Sequence, residues 1–202
     1  GRWSNYTRAS IGSMGPIDGQ TLGLIGLGNI ARATARKAKA FGLEVIAQDP
    51  YVEPWIAKEY GVELVSGLEE LAGRSDYVSV HVPLNPQTTK LVGESFFKAM
   101  KPTAFIINTC RGRTIDEKSL IKALQEGELA GAGLDVFEVE PTPADNPLLS
   151  MDNVIVTPHS AGASVASRDA APTQIGQEAA RLLTGRWPMS LVNPQVRAQI
   201  PT

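Results

Sequence analysis

From Thr21 to Pro158 the chain alternates short, unbroken apolar runs with longer segments of helical spacing, and few folds accept that rhythm. The runs read "TLGLIG", "EVIAQ", "VELV", "YVSVHV", "AFIIN", "AGAGLDVF" and "NVIVTP". Between them, helices are predicted near Asn29–Phe41, Glu53–Tyr60, Leu68–Ala72, Glu94–Met100 and Asp116–Glu126. Strands that are apolar at successive positions, not at alternate ones, are buried on both faces. Strands separated in sequence by helices form a mostly parallel sheet. The predicted class is α/β, a doubly wound sheet with helices on both sides.

The flanks differ from this middle. Residues 1–19 are rich in Gly, Ser and Pro with isolated apolar side chains, and read as an arm that needs a partner surface. Residues 20–162 carry the alternation. Residues 163–202 hold a helical segment, Ala163–Thr184, which Pro172 is expected to kink or restart, and then the tail "GRWPMSLVNPQVRAQIPT".

Composition narrows the function classes. With 43% hydrophobic and 20% charged residues, the 202-residue chain has the make-up of an ordinary globular protein. A net charge of -2, with no basic stretch that offers the counterion release on which phosphate-backbone binding depends, argues against a nucleic-acid surface. The basic segment "ARATARKAKAF" reads as the wet face of a helix. No apolar run reaches membrane-spanning length, and the opening residues are not signal-like. One cysteine, Cys110, allows no intrachain disulfide, so a cytoplasmic location is the simplest expectation. The chain does not begin with Met, as expected of a piece of a longer protein.

The first βα connection carries G-x-G-x-x-A as Gly26, Gly28 and Ala31. In this pattern the first glycine makes a tight turn and the second admits a pyrophosphate to the backbone. The third, small residue lets helix and strand pack closely. Asp49 lies about twenty positions further on, at the end of the next strand, where an acid accepts hydrogen bonds from an adenosine ribose. A carboxylate there repels a 2'-phosphate. The expected cofactor is NAD, bound by a Rossmann-type fold.

Polar and special residues follow the other strands as well. His81, Val82 and Pro83 end the fourth run, Asn108 to Arg111 the fifth, Asp135 the sixth and His159 the seventh. In an open α/β sheet, ligands sit outside the carboxyl ends of the strands. Taken singly, Arg111 reads as a solvated turn residue, Asp135 as an acceptor for nearby backbone, Glu140 as a loop acid and Cys110 as a small, partly buried residue. His81, beside Val-Pro, reads as structural. Arg111, Glu140 and His159 together suggest more. A guanidinium grips a carboxylate, a histidine exchanges a proton near neutral pH, and a second carboxylate orients that imidazole. With NAD these are the parts needed to oxidise an alcohol beside a carboxylate. No metal site is expected.

The segments "GLIGLGNIARATARKAKAFGLEVIAQDPY", "SDYVSVHVPLNPQTTKLVG", "NTCRGRTIDEKSLIKALQEGELAGAGLDVFEVEP" and "DNVIVTPHSAGAS" resemble the nucleotide-binding domain of the D-isomer specific 2-hydroxyacid dehydrogenases. The nearest likeness is to the branch of D-3-phosphoglycerate dehydrogenase and hydroxypyruvate reductase. The resemblance implies that Arg111 binds the substrate carboxylate and carbonyl oxygen, Glu140 orients the histidine, and His159 donates or accepts the proton. It also implies cofactor contacts at Gly26, Gly28, Asn29, Ile30, Asp49, Val82, Pro83, Thr109, Cys110, Arg111, Asp135, His159, Ser160, Ala161 and Gly162. Members of the family have a second, substrate-binding domain that is largely missing from this chain, so the 202 residues are either a fragment or a chain without its lid.

Two other readings stand beside the dehydrogenase. One is an NAD(H)-sensing interaction module without catalysis. The other is a domain serving mainly assembly, since the arm bearing Trp3 and Tyr6 resembles the region near the family's dimer interface, which also implies a homodimer. The substrate expected from the resemblance is a 2-hydroxy or 2-keto acid, of the 3-phosphoglycerate or glycerate and hydroxypyruvate kind.

Overall fold

The computed structural model describes residues 16–189, 191–193, 195 and 196. The arm expected over residues 1–19 lies mostly outside them, with Trp3 and Tyr6. The chain divides into two compact units, one through His159 and the other from Ser160 onward.

In the first unit the apolar runs become seven strands: β1 (Thr21–Ile25), β2 (Glu44–Gln48), β3 (Glu63–Leu64), β4 (Tyr77–Val80), β5 (Phe105–Asn108), β6 (Gly131–Leu134) and β7 (Val154–Val156). The helices α1 (Asn29–Ala40), α2 (Pro54–Glu59), α3 (Leu68–Arg74), α4 (Glu94–Ala99) and α5 (Glu117–Glu126) connect them. The spatial order is β3-β2-β1-β4-β5-β6-β7, and every pairing is parallel. This is the doubly wound, Rossmann-like sheet that the alternation predicts.

The strand pattern divides the core between two faces. Leu22 and Leu24 of β1 join Ala31, Ala35 and Ala38 of α1, whose small side chains bring helix and strand close. Ile25 lies in the opposite cluster with Val78, Val80, Phe97, Ile106 and Leu120. Gly23 shows how near the second layer comes. A Cβ there would stand 2.1 Å from Ser75 Oγ and 2.8 Å from a Leu71 methyl. Burial on this scale contributes about 25 cal/mol per Å2 of apolar surface removed from water, which explains why neither face carries alternating polar residues.

Several elements are shorter than their apolar runs. "AGAGLDVF" stays in the sheet only to Leu134, and "VELV" supplies only Glu63 and Leu64. Val136 and Phe137 are nonetheless buried, because hydrophobic residues in a loop can enter the core without strand pairing.

The second unit contains α6 (Val165–Leu183), which begins with a reciprocal cap. Ser167 N donates to Ser164 Oγ and Ser164 N to Ser167 Oγ, each at 3.0 Å. The helix runs through Pro172 without restarting. Thr173 Oγ1 donates to Asp169 O at 3.1 Å, beside the backbone bond that a proline cannot make. After α6, Arg181 Nε donates to Trp187 O and Met189 N to Glu178 Oε2.

Candidate active site

Because β1 lies between β2 and β4, the chain order reverses at β1 and leaves a crevice between the β1 and β4 loops. Gly26 turns the chain there with φ +88°, a value that favours glycine. A Cβ on it would be 3.0 Å from both His81 O and Val82 Cγ1, so the turn also needs the space. The end of β2 secures this loop. Leu27 N donates to Asp49 Oδ2 at 2.8 Å, Tyr51 N to Asp49 Oδ1 at 2.9 Å, and Gly26 N to Gln48 O at 2.9 Å.

Gly28 is different. Its φ of -72° is open to any residue, and nothing lies within 4 Å of a Cβ placed on it. Among the described residues, no packing requires glycine at this position. It caps the twelve-residue α1 without a side-chain cap, leaving amide groups and the positive end of the helix dipole toward the crevice. Asn29 and Ile30 are exposed there, Ile30 at 72%. Val82 is half-buried and Pro83 exposed on the facing loop. Each Asp49 oxygen has capacity for a further hydrogen bond beyond those it makes to backbone. These residues fit a pyrophosphate on α1 and a ribose at Asp49. His81 lies beside them with its Nε2 hydrogen-bonded to Ser79 Oγ at 2.9 Å, and burial pushes its pKa down by disfavouring the charged ring.

The chemistry-bearing side chains lie further along the same edge. Asn108, 1% exposed, organises the loop after β5. Its Nδ2 donates to Arg111 O at 3.0 Å and its Oδ1 accepts from Cys110 N at 3.0 Å. Thr114 Oγ1 also donates to Arg111 O, at 2.7 Å. Thr109 is exposed and Cys110 half-buried, its thiol 3.1 Å from Asn108 Oδ1. Gly112 brings this loop against the next one, since a Cβ would fall 1.9 Å from the Phe137 carbonyl atoms.

That second loop carries Glu140. Its Oε1 accepts from Phe137 N at 2.9 Å and its Oε2 from His159 Nδ1 at 2.7 Å. The hydrogen bond from His159, then that from Phe137 N, hold the Glu140 carboxyl below its ordinary value, and the Arg111 charge adds to them. Glu117 anchors the loop from α5, accepting from Glu138 N and Asn146 Nδ2, each at 2.8 Å. Lys90 pairs with Glu138 at 3.2 Å and Asp116 at 2.7 Å.

His159 has φ +50°, a left-handed conformation that histidine adopts more readily than most residues. The reversal turns its N–H back to Asp135 O, 2.8 Å away. A carboxylate only accepts, so Nδ1 carries the hydrogen toward Glu140 and Nε2 is left to exchange a proton. Arg111, Glu140 and His159 share a cavity of about 160 Å3 with Leu84. A larger one, about 610 Å3, opens beside Asp135, Glu140, Thr157 and His159. Asp135 is 3% exposed.

The chain matches the family model of the D-isomer specific 2-hydroxyacid dehydrogenase, NAD binding domain, over residues 1–161. It belongs to that family. Among curated relatives, this chain is 46% identical over 180 residues to a glyoxylate reductase of Korarchaeum cryptofilum, covering 89% of this chain and 54% of the relative. It is 45% identical over 175 residues to a D-3-phosphoglycerate dehydrogenase of Methanocaldococcus jannaschii, covering 87% and 33%. The chain thus spans from about a third to just over half of the length of these relatives. Among solved structures, the NAD-complexed D-isomer specific 2-hydroxyacid dehydrogenase of Lactobacillus delbrueckii ssp. bulgaricus matches with a TM-score of 0.84 and 35% identity, over 93% of this chain and 60% of that one. NAD is the cofactor of this dehydrogenase domain.

All site residues expected in the first unit lie in the loops or helix starts that follow strand ends. Ser160, Ala161 and Gly162 belong to the second unit. Sequence reasoning placed Asn108 at the end of its run without giving it a role, and missed the supports Gly112, Glu117 and Thr157. A polar residue closing an apolar run and a glycine directly after Arg111 were the available signals for Asn108 and Gly112.

Proposed function

We propose that the chain is the cofactor-binding part of an oxidoreductase that moves a hydride between nicotinamide and a D-2-hydroxy or 2-keto acid. The observation that carries this reading is the 2.7 Å His159–Glu140 hydrogen bond, in a cavity shared with Arg111. When bound, NADH supplies the hydride for a 2-keto carbon. Arg111 binds the substrate carboxylate in paired hydrogen bonds and draws the carbonyl oxygen toward the histidine. His159 Nε2 gives that oxygen a proton in reduction and takes it back in oxidation. Glu140 accepts from Nδ1 and so orients the ring with Nε2 toward the substrate.

Cofactor contacts are assigned to Gly26, Gly28, Asn29 and Ile30 at the pyrophosphate, and to Asp49 at the ribose. Val82 and Pro83 flank the adenosine. Thr109 to Arg111, Asp135 and His159 are assigned to the nicotinamide end, and Ser160, Ala161 and Gly162 are cofactor contacts on the family resemblance alone. The substrate belongs to the 3-phosphoglycerate or glycerate and hydroxypyruvate class, a reading supported by likeness to both a phosphoglycerate dehydrogenase and a glyoxylate reductase. Among the described residues no helix is long and apolar enough to cross a membrane. A cytoplasmic homodimer is the accompanying proposal, and a solution mass of 21.6 kDa instead of twice that value would remove the dimer.

Calorimetric titration of the chain and of Asp49→Ala with NADH and NADPH tests the cofactor assignment. Saturable NADH binding, weaker NADPH binding, and loss of that preference in Asp49→Ala are expected. Equal affinity of the unmodified chain for both would remove Asp49 from the ribose. NADH oxidation against glyoxylate, hydroxypyruvate and 3-phosphohydroxypyruvate, in a protein carrying this chain, then tests the substrate class.

A further inference from the structure

We propose that Thr157 is a positioning residue that ties the Asp135 carboxylate to the main chain carrying His159, so that cofactor and proton donor are presented from one frame. The inference rests on the proposed place of Asp135 at the nicotinamide end, where its carboxylate would meet the carboxamide. Its own basis is a set of three hydrogen bonds. Thr157 N donates to Leu134 O at 2.9 Å, extending the β6–β7 pairing by one step. The Thr157 hydroxyl donates to Asp135 Oδ1 at 2.5 Å. Two residues later, His159 N returns to Asp135 O at 2.8 Å. Leu134 and Asp135 therefore grip the Thr157–His159 segment by main chain and side chain together.

Each residue type in that segment has a physical reason. A carboxylate that is 3% exposed requires hydrogen-bond donors, and the Thr157 hydroxyl supplies one. A donor on Oδ1 selects one rotation of the carboxylate and so fixes the direction of Oδ2. β-Branching restricts χ1 of Thr157, and Pro158 fixes φ of the only residue between it and His159. The Asp135 carboxylate and the His159 main chain are thereby held on one short segment, while Glu140 holds the imidazole through Nδ1. A valine would retain the shape and lose the donor, whereas a serine would retain the donor with more rotational freedom.

ADP-ribose carries the ribose and pyrophosphate of the cofactor without nicotinamide, and so separates this role from general support of the fold. NADH and ADP-ribose would be titrated calorimetrically into the unmodified chain, Thr157→Val, Thr157→Ser and Asp135→Asn, with thermal unfolding recorded for each. Thr157→Val should bind NADH about tenfold more weakly, the effect of losing one hydrogen bond to a charged group, while ADP-ribose affinity stays within twofold. Thr157→Ser should recover most of the loss, and Asp135→Asn should show the same selective defect. Unchanged NADH binding in Thr157→Val, or parallel weakening of both ligands, would overturn the inference. If Asp135→Asn is selective and Thr157→Val is not, the inference falls alone. If Asp135→Asn is not selective, the carboxamide assignment falls and takes the inference with it. Failure of the unmodified chain to bind either ligand would overturn the cofactor assignment itself.

Discussion

The two ends of the ligand edge are built by different means. Around Gly26 and Asp49 the geometry is set by main chain: a left-handed glycine, an uncapped helix start, and a carboxylate accepting from two amides. Around Arg111, Glu140 and His159 it is set by side chains reaching across loops from β5, β6 and β7. Main-chain construction suits an invariant ligand such as a pyrophosphate. Side-chain construction allows each reacting group its own orientation and proton affinity, at the cost of needing many supports.

The largest test of this contrast is His159→Ala. It should lower kcat for NADH-dependent reduction of a 2-keto acid about a thousandfold, within the usual range for a general acid–base residue. The NADH dissociation constant from calorimetry should stay within about threefold. Comparable losses in both quantities would show that the two ends do not act separately.

Two glycines sharpen the same comparison. Gly112→Ala forces a methyl into the Phe137 carbonyl and should lower stability to urea by about 3 kcal/mol, the upper range for overpacking. Gly28→Ala meets nothing within 4 Å and should change stability by less than about 1 kcal/mol, the scale of a helix cap. Its NADH affinity should nonetheless fall about tenfold, since the added methyl blocks approach to the backbone. If Gly28→Ala binds normally, the pyrophosphate does not lie on that turn.

The smallest effect concerns pH. The Glu140 carboxyl is held below its ordinary value, first by His159, so the folded state releases its proton more readily than the unfolded chain does. Its contribution to stability is present above the ordinary carboxylate range and disappears as pH falls through the lowered folded value. The stability difference between the unmodified chain and Glu140→Gln should therefore shrink on acidification from pH 6 to below pH 4. With His159 50% and Glu140 35% exposed, solvent screening keeps the effect modest. A difference that grows on acidification would contradict the lowered carboxyl.

Much of the fold was readable because a parallel sheet writes itself into sequence as unbroken apolar runs. The site was partly readable for a related reason: such a sheet presents every strand's carboxyl end at one edge, so Asp49, Arg111, Asp135 and His159 stood out at the ends of runs. The supports were not. Glu117 lies at the start of a helix and looks like an ordinary first-turn acid, yet it accepts from Glu138 N and Asn146 Nδ2. Thr157 reads as part of a strand stop. Contacts between loops have no periodicity, so spacing along the chain does not expose them. Nor did it mark where β6 would end, because Val136 and Phe137 are as apolar as strand residues while being buried outside the sheet.

The anchoring of the Glu140 loop has a dynamic consequence. Phe137 and Glu138 donate their amides to carboxylates, on Glu140 and Glu117, and not to strand carbonyls. Their exposure to solvent exchange is governed by whether α5 and that loop are docked, and not by the opening of the sheet. In a hydrogen-exchange experiment these amides would form a local reporter, registering the docking of the Glu140 loop while the β1–β4 centre remains closed.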